Sequence, residues 1–398
     1  MIRVLQISEE KDLRGLMREI AVDSYGLRIM LPKGAFYLLK IDSISSISAN
    51  ILKQEMLSLG GEAAVSRDAL TARARRTDCL LMGTLAQLAS LGQKLKNQPF
   101  GLAQLAGDLS ATLENYRRDA FVLKLGKYRL NLKKRTHIMG ILNLTPDSFS
   151  GDGLSGRWQI EKIIEYAEKL VGEGADILDV GGESSRPGAK PVSVKEEIRR
   201  AIPAIKLLAK KIRAPISIDT YKPEVARAAL DNGAAMVNDI TGLRNPRMLR
   251  LIAKYKAAIV IMHMQGAPRT MQKEPRYRDL IAEIIDYLGR AIRLAQAAGI
   301  KEEKIIVDPG IGFGKSPEHN LQILQKLKDF KVLGRPLLAG PSRKSFIGKI
   351  LGLAPQERLC GTLAACVLAA QNGAKILRAH DVRQVKQALK ITDAILNS

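Results

Sequence analysis

The residues best suited to chemistry in this chain stand at the ends of short apolar runs. Asp219 closes the run 216–218, Asn238 and Asp239 close 235–237, and Asp308 closes 305–307. Two carboxylates brought face to face bind a heterocycle with amidine-like N–H edges well, because each accepts paired, charge-assisted hydrogen bonds of about 1.5 to 3 kcal/mol apiece. The other reading of Asp219 is a cap on the helix that follows it. Cations are equally well placed. Gly340-Pro341-Ser342-Arg343-Lys344-Ser345 offers a lysine, an arginine and hydroxyls to an anionic or carbonyl-bearing ligand, and Arg378 and His380 can both donate to a phosphate near a helix start. The four histidines lack metal-ligand spacing, so His263 and His380 are read as hydrogen-bond donors.

Three loops add small polar groups. Asn143 to Gly153, which includes Thr145, Asp147, Ser148 and Asp152, has the density of glycine and hydroxyl expected of a segment that orders over a ligand. Gly181 to Gly188 carries Ser184, Ser185, Arg186 and Pro187, a set suited to an anion. Asp308 to Ser316 is glycine-rich but is no phosphate-binding P-loop, since the first glycine of that motif falls on Pro309. Its glycines instead let backbone approach a flat ligand, with Phe313 as a wall.

What must position these groups is a repeating strand and helix. Eight apolar runs, near 138–142, 177–178, 216–218, 235–237, 258–262, 305–307, 337–339 and 376–377, each stop on a polar residue or glycine and are each followed by a helical stretch. The expected helices are 158–172, 194–211, 223–232, 246–255, 277–298, 317–327, 355–372 and 381–397. This alternation predicts an α/β chain with a (β/α)8 TIM barrel, whose C-terminal strand ends share one mouth. The alternation of Val122, Leu123, Leu125, Tyr128, Leu130 and Leu132 around Gly126-Lys127 predicts a hairpin placed to plug the barrel floor.

At 398 residues the chain is longer than the roughly 250 of one barrel, so a second domain is expected. Residues 1–121 read as a small α/β N-terminal domain, with strands near 37–41 and 79–82, a helix through Ile44 to Leu59 that Gly60-Gly61 ends, and amphipathic stretches at 85–95 and 102–113. Residues 122–398 take the hairpin and barrel. The first domain carries no catalytic cluster and no kinase or aldolase motif; Arg73, Arg75 and Arg76 are either a solvated face or a phosphate contact.

Composition bounds the class. With 46% hydrophobic and 26% charged residues the chain reads as globular, and no apolar run reaches the roughly 18 residues of a membrane span. Cys79, Cys360 and Cys366 have neither metal spacing nor an even count, which together with the absence of a signal-peptide pattern leads us to expect the cytoplasm. The net charge of +23 invites a nucleic-acid reading, yet it is spread along the chain and aromatics are only 4%, too few for base stacking. Steering of an anionic small substrate fits better, and neither nucleic acid nor membrane is expected as a partner.

The motifs together resemble a known family. Gly140-Ile-Leu-Asn-Leu-Thr-Pro-Asp-Ser-Phe-Ser150, Asp179-Val-Gly-Gly-Glu-Ser-Ser-Arg-Pro-Gly188, Ser217-Ile-Asp-Thr-Tyr-Lys222, Asn238-Asp-Ile240, Met262-His-Met-Gln-Gly266, Asp308 to Lys315, Ser342 to Ser345 and Arg378-Ala-His-Asp-Val382 look like dihydropteroate synthase, over about 137–398. The resemblance implies condensation of 6-hydroxymethyl-7,8-dihydropterin diphosphate with p-aminobenzoate. It implies that Asp219, Asn238, Asp308 and Lys344 hold the pterin, with Met262, Gly312 and Phe313 lining its slot. Asn143, Arg378 and His380 would hold the diphosphate, Asn143 through Mg²⁺, and Ser185, Arg186, Pro187 and Ser345 would lie near the aminobenzoate. Lys344, Asp308, Arg378 and His380 would carry the catalysis, in a homodimer joined through the last helices. The chain departs from the family at Ser185, where threonine is usual, and at Ser150-Gly151-Asp152-Gly153, where Ser-Asp-Gly-Gly is usual. Two other readings share the barrel: a pterin-dependent methyltransferase, and a non-catalytic pterin-binding barrel.

Overall fold

A computed structural model describes the chain except residues 6, 8, 9, 72, 145–156, 185–190 and 268–269 and the side chains of 157–159. The chain divides into two compact units, Met1–Glu114 and Asn115–Ser398, a join seven residues earlier than the one expected at 121.

In the first unit, α1 (Glu10–Glu19) and α2 (Ser24–Gly34) lead into β1 (Phe36–Ser45), α3 (Ser46–Ser58), β2 (Glu62–Val65), α4 (Arg67–Leu70), β3 (Arg76–Thr84) and α5 (Leu85–Leu95). Helix α6 (Leu102–Arg117) follows, its last residues belonging to the second unit. The sheet is antiparallel in the order β1-β3-β2. The alternation of β3 buries Cys79 and Leu81, which pack on Leu52 and Met56 of α3, Leu88, Leu91 and Leu95 of α5, and Leu102 and Leu109 of α6. Periods of two and 3.6 thus meet in one core. Strand β2 was not foreseen, since Glu-Ala-Ala-Val has little strand propensity of its own and is held by pairing with β3.

In the second unit, β4 (Val122–Leu125) and β5 (Tyr128–Asn131) form the expected hairpin. Eight strands then alternate with helices: β6 (His137–Asn143), α7 (Arg157–Gly172), β7 (Ile177–Gly181), α8 (Val194–Lys211), β8 (Ile216–Asp219), α9 (Pro223–Asp231), β9 (Met236–Asp239), α10 (Pro246–Tyr255), β10 (Ala258–Met262), α11 (Leu280–Ala297), β11 (Ile305–Asp308), α12 (Pro317–Gln325), β12 (Leu337–Ala339), α13 (Ser345–Leu351), α14 (Leu359–Gln371), β13 (Ala374–Ala379) and α15 (Val382–Asn397). The strands close into a parallel barrel in chain order, β13 pairing with β6. Strand residues facing outward, such as Leu178, Ile218, Ile259 and Val307, join the helices in one apolar shell. Those facing inward near the N-terminal ends, Met139, Ile177, Met236, Val260, Ile306, Leu338 and Ile376, pack with Leu123, Leu125 and Leu132, so the hairpin fills the floor. The expected helices are present, and α13 is added: Ser345-Phe-Ile-Gly-Lys-Ile-Leu is only seven residues, too short for its periodicity to stand out.

Candidate functional site

The barrel mouth gathers a buried charged network. Asp179, at the end half of β7, has no solvent exposure, and its Oδ2 accepts from Arg378 Nε at 2.6 Å and from Asn238 Nδ2 at 3.0 Å. Arg378 Nη2 donates to Asp219 Oδ2 at 2.8 Å. Four residues from strands β7, β8, β9 and β13 therefore share one cluster, and Asp179 Oδ1 remains a buried acceptor with no hydrogen-bond partner among the described residues. Burial pushes the Asp219 carboxyl up from its ordinary value, while Arg378 opposes the rise. Asp219 does not cap α9; Lys222 occupies that cap position. Asn143 Oδ1 faces the same space, since a Cβ added at Gly181 would stand 3.7 Å from it and 3.8 Å from Asp219 Oδ2.

Across the mouth, Asp308 is buried and accepts a 2.7 Å bond from the Gly310 amide. Burial pushes its carboxyl up to about 6, opposed by the Gly310 bond and the charges of Lys344, Lys315 and Arg378. The loop that follows is held on every side. Asn320 Oδ1 accepts from Gly312 N at 2.6 Å, Gln272 donates to the Gly312 carbonyl at 2.7 Å, and Tyr277 donates to the Gly314 carbonyl at 2.7 Å. Gly310 sits at φ +74°, with its missing Cβ position 1.9 Å from the His263 carbonyl oxygen, so no side chain fits there.

Lys315 completes that clamp. It is 2% exposed, and its Nζ meets Phe313 O at 2.9 Å, His263 Nδ1 at 3.0 Å and His263 O at 3.4 Å, three acceptors for three ammonium protons. Burial lowers its pKa to about 7 and that of His263 to about 2, so His263 is the neutral partner. Lys344 Nζ lies 4.0 Å from the centroid of the Phe313 ring, a cation–π contact, and its stem passes the Gly312 backbone. Met262 and Phe313 belong to one small apolar cluster with Ile240, Met264 and Met271. The charge of Lys344 acts in turn on Asp308, so an aromatic ring, a cation and a carboxyl stand together in this part of the mouth.

Arg343 stands apart from the expectation for its loop. Its guanidinium pairs with Asp381, its amide donates to Thr362 Oγ1 at 3.0 Å, and its φ is +56°, so Lys344 is the cation that this turn presents. Ser342 Oγ accepts from the His380 amide at 3.2 Å and lies 3.1 Å from His380 Nδ1. Burial, aided by Arg378 and Arg343, lowers His380 to about 3, which makes it a neutral donor. Ser345 is exposed at the start of α13. Ser185, Arg186, Pro187 and the 145–153 loop, with Asp152, lie outside the described residues. Asp179 was expected at the mouth only as the polar stop of an apolar run, and neither it nor Lys315, at the end of a glycine-rich loop, was given a role from the sequence.

Known proteins decide what such a mouth belongs to. The model of the family described as pterin binding enzyme matches residues 139–380, more than half of the chain. The chain belongs to the pterin-binding enzyme family. Among its relatives, the dihydropteroate synthase of Synechocystis sp. is 48% identical over 275 residues, 69% of this chain and 94% of that protein. A Xanthomonas albilineans dihydropteroate synthase solved in complex with 7,8-dihydropteroate is 41% identical, with a TM-score of 0.63, and covers 70% of this chain and 99% of its own. The probable bifunctional folylpolyglutamate synthase/dihydropteroate synthase of Halobacterium salinarum aligns with 96% of this chain at 39% identity but with 46% of its own length, so most of the first unit is shared with it. In this pterin-binding enzyme no helix of the described residues is long and apolar enough to cross a membrane.

Proposed function

We infer that the chain is a dihydropteroate synthase, a transferase that joins 6-hydroxymethyl-7,8-dihydropterin diphosphate to p-aminobenzoate with release of diphosphate. Family relatives of that name support it, and the observation that carries it is the mouth itself. Asp219, Asn238 and Asp308 are buried at strand ends of one barrel, Arg378 bonds Asp219, Lys344 lies over Phe313, and the charges of both cations act on Asp308, a set that suits a flat ring with N–H edges beside an anion. A pterin-dependent methyltransferase leaves the Ser342 to Ser345 turn and the loop after β6 without a use, so the synthase reading is preferred.

In this proposal Asp308, Asp219 and Asn238 hold the pterin edge, Met262, Gly312 and Phe313 form its walls, and Lys344 closes the slot. The C–O bond to diphosphate breaks early, its electron pair leaving with the phosphate. The aniline nitrogen then bonds to the methylene carbon and loses a proton. Carboxylates around the ring favour the cationic methylene, which is electrostatic catalysis without a covalent enzyme intermediate. The five N–H donors of a guanidinium allow Arg378 to keep Asp179 and Asp219 and still donate to a phosphate oxygen, with His380 as a neutral second donor.

Mg²⁺ fits as a partner of the diphosphate. No three His, Cys, Asp or Glu side chains among the described residues gather into a metal cage, and a hard ion held mostly by phosphate and water needs only one protein oxygen such as Asn143 Oδ1. When bound it would neutralise the leaving group's charge. The aminobenzoate would lie toward Ser345 and the loop of Ser185, Arg186 and Pro187. We further propose a homodimer, supported by an apolar groove of about 390 Å³ where α12, α13 and α14 expose Leu321, Ile350, Leu351 and Leu368. The proposed setting is the cytoplasm, in keeping with three free cysteines.

Incubating the full chain with the pterin diphosphate, p-aminobenzoate and Mg²⁺ tests the reading. Diphosphate release in step with dihydropteroate is expected; pterin binding without either product would leave only a binding barrel.

A further inference from the structure

Lys222 has no part in the chemistry above, yet it is the hub of a second buried charge cluster. It lies three residues beyond Asp219, at the cap position of α9, where its side chain makes no capping bond. Its Nζ pairs with the Glu183 carboxylate, donates to Glu197 Oε2 at 2.6 Å and donates to the Val192 carbonyl at 2.6 Å. Three acceptors again use all three ammonium protons. Lys222 and Glu183 are each 13% exposed and Glu197 is 1% exposed. Burial works against the ammonium, but the two glutamates outweigh it and hold its pKa above the ordinary value. Tyr221 adds a hydroxyl donated to Glu183 Oε1 at 3.1 Å.

The three acceptors come from separate places. Glu183 follows β7, Val192 immediately precedes the Ser193 cap of α8, and Glu197 lies in the first turn of α8. Glu183 and Val192 therefore bracket residues 184–191, so one ammonium on the Asp219 turn ties together both stems of the loop after β7. Arg200 of α8 strengthens the same joint by donating to the Gly182 carbonyl at 3.2 Å. A cluster of two carboxylates and one lysine out of water is a poor way to gain stability, because desolvation consumes most of the attraction; such groups are better explained by the geometry they fix.

We propose that Lys222 is a positioning residue for the aminobenzoate half of the reaction, setting the stems of the loop after β7 at a fixed distance from the Asp219 edge of the pterin slot. The proposal rests on the synthase reading. It assigns Lys222 an effect on one substrate and not on the other, which loss of general packing does not produce.

The test uses the full chain with Lys222→Met, Lys222→Arg and the double variant Lys222→Met/Glu197→Gln, the last removing the buried carboxylate that methionine would leave uncompensated. Steady-state kinetics on both substrates, calorimetric titration with the pterin diphosphate, and thermal unfolding are measured for each. The expected result is a KM for p-aminobenzoate raised about tenfold or more in both methionine variants, while pterin diphosphate affinity stays within about twofold. The double variant regains thermal stability and keeps the high KM, and Lys222→Arg recovers part of it. Wild-type KM in a folded double variant overturns the proposal, as does an equal loss of affinity for both substrates. Failure of both methionine variants to fold makes the cluster a folding determinant and also overturns it. A wild-type chain that makes no dihydropteroate refutes the synthase reading instead, and the positioning role falls with it.

Discussion

Pterin affinity should rise with pH because of Asp308. Its carboxyl is 6% exposed, accepts one hydrogen bond, and is held near 6 where an ordinary aspartate titrates at 3.8. The folded chain keeps a proton there that the unfolded chain has lost. This group's contribution to folding stability is thus greatest below 3.8 and declines as pH rises toward 6, by about 3 kcal/mol in all. A ligand whose N–H edge needs the carboxylate reverses that preference. If the bound carboxylate is fully ionised, affinity falls about tenfold between pH 7 and pH 5, or about 1.4 kcal/mol, and binding at pH 5 releases close to one proton. Burial raises Asp219 as well, so its titration adds in the same direction.

The assay is calorimetric titration with the hydroxymethyl dihydropterin lacking diphosphate, so that no phosphate titrates in the window. Runs in two buffers of different ionisation enthalpy count the proton directly. Asp308→Asn should weaken binding at pH 7 by at least about tenfold, the worth of a charge-assisted bond, and flatten much of the pH dependence. A wild-type affinity constant between pH 5 and 7, with no proton release, would refute the assignment of Asp308 to the pterin edge.

Other predictions follow from the same contacts. Lys344→Ala, which removes the cation over Phe313, should cut condensation at least about tenfold in kcat/KM while the unfolding midpoint in urea stays near wild type; unchanged turnover removes Lys344 from the mechanism. Gly310→Ala places a methyl 1.9 Å from the His263 carbonyl oxygen at φ +74°, and should cost about 3 kcal/mol or more in urea unfolding; a variant as stable as wild type would mean that the loop and β10 can part freely. A chain starting at residue 115 should fold and keep kcat within about threefold, since each compact unit has its own core. Loss of turnover in a folded barrel would give the first unit a part in the reaction. Leu368→Lys on the α14 groove should give a monomer by light scattering if the second copy binds there, and an unchanged mass would move the interface elsewhere.

How far the sequence revealed this site depended on the kind of order involved. Barrel strands end at the mouth by construction, so Asp219, Asn238, Asp308 and Arg378 could be brought together from position alone, and the structure gathers them into one buried, charged mouth. Partner choice inside the mouth was not legible. Arg378 was read for a phosphate, yet it bridges Asp179 and Asp219, because a buried guanidinium takes whichever carboxylates the barrel's closure brings within reach, and β13 closes onto β6 next to β7. Lys315 was given no role from the sequence, because no spacing rule says that its ammonium meets the Phe313 carbonyl and His263, 52 residues away. Lys222 shows the limit most clearly. Its three acceptors lie 25 to 39 residues away in sequence and include a backbone carbonyl, which a sequence never marks. The local code therefore fixed which strand end each functional group occupies, while the three-dimensional closure of the barrel fixed which charge answers which; substitutions at Asp179, Lys222 and Lys315 should act on affinity through these second contacts.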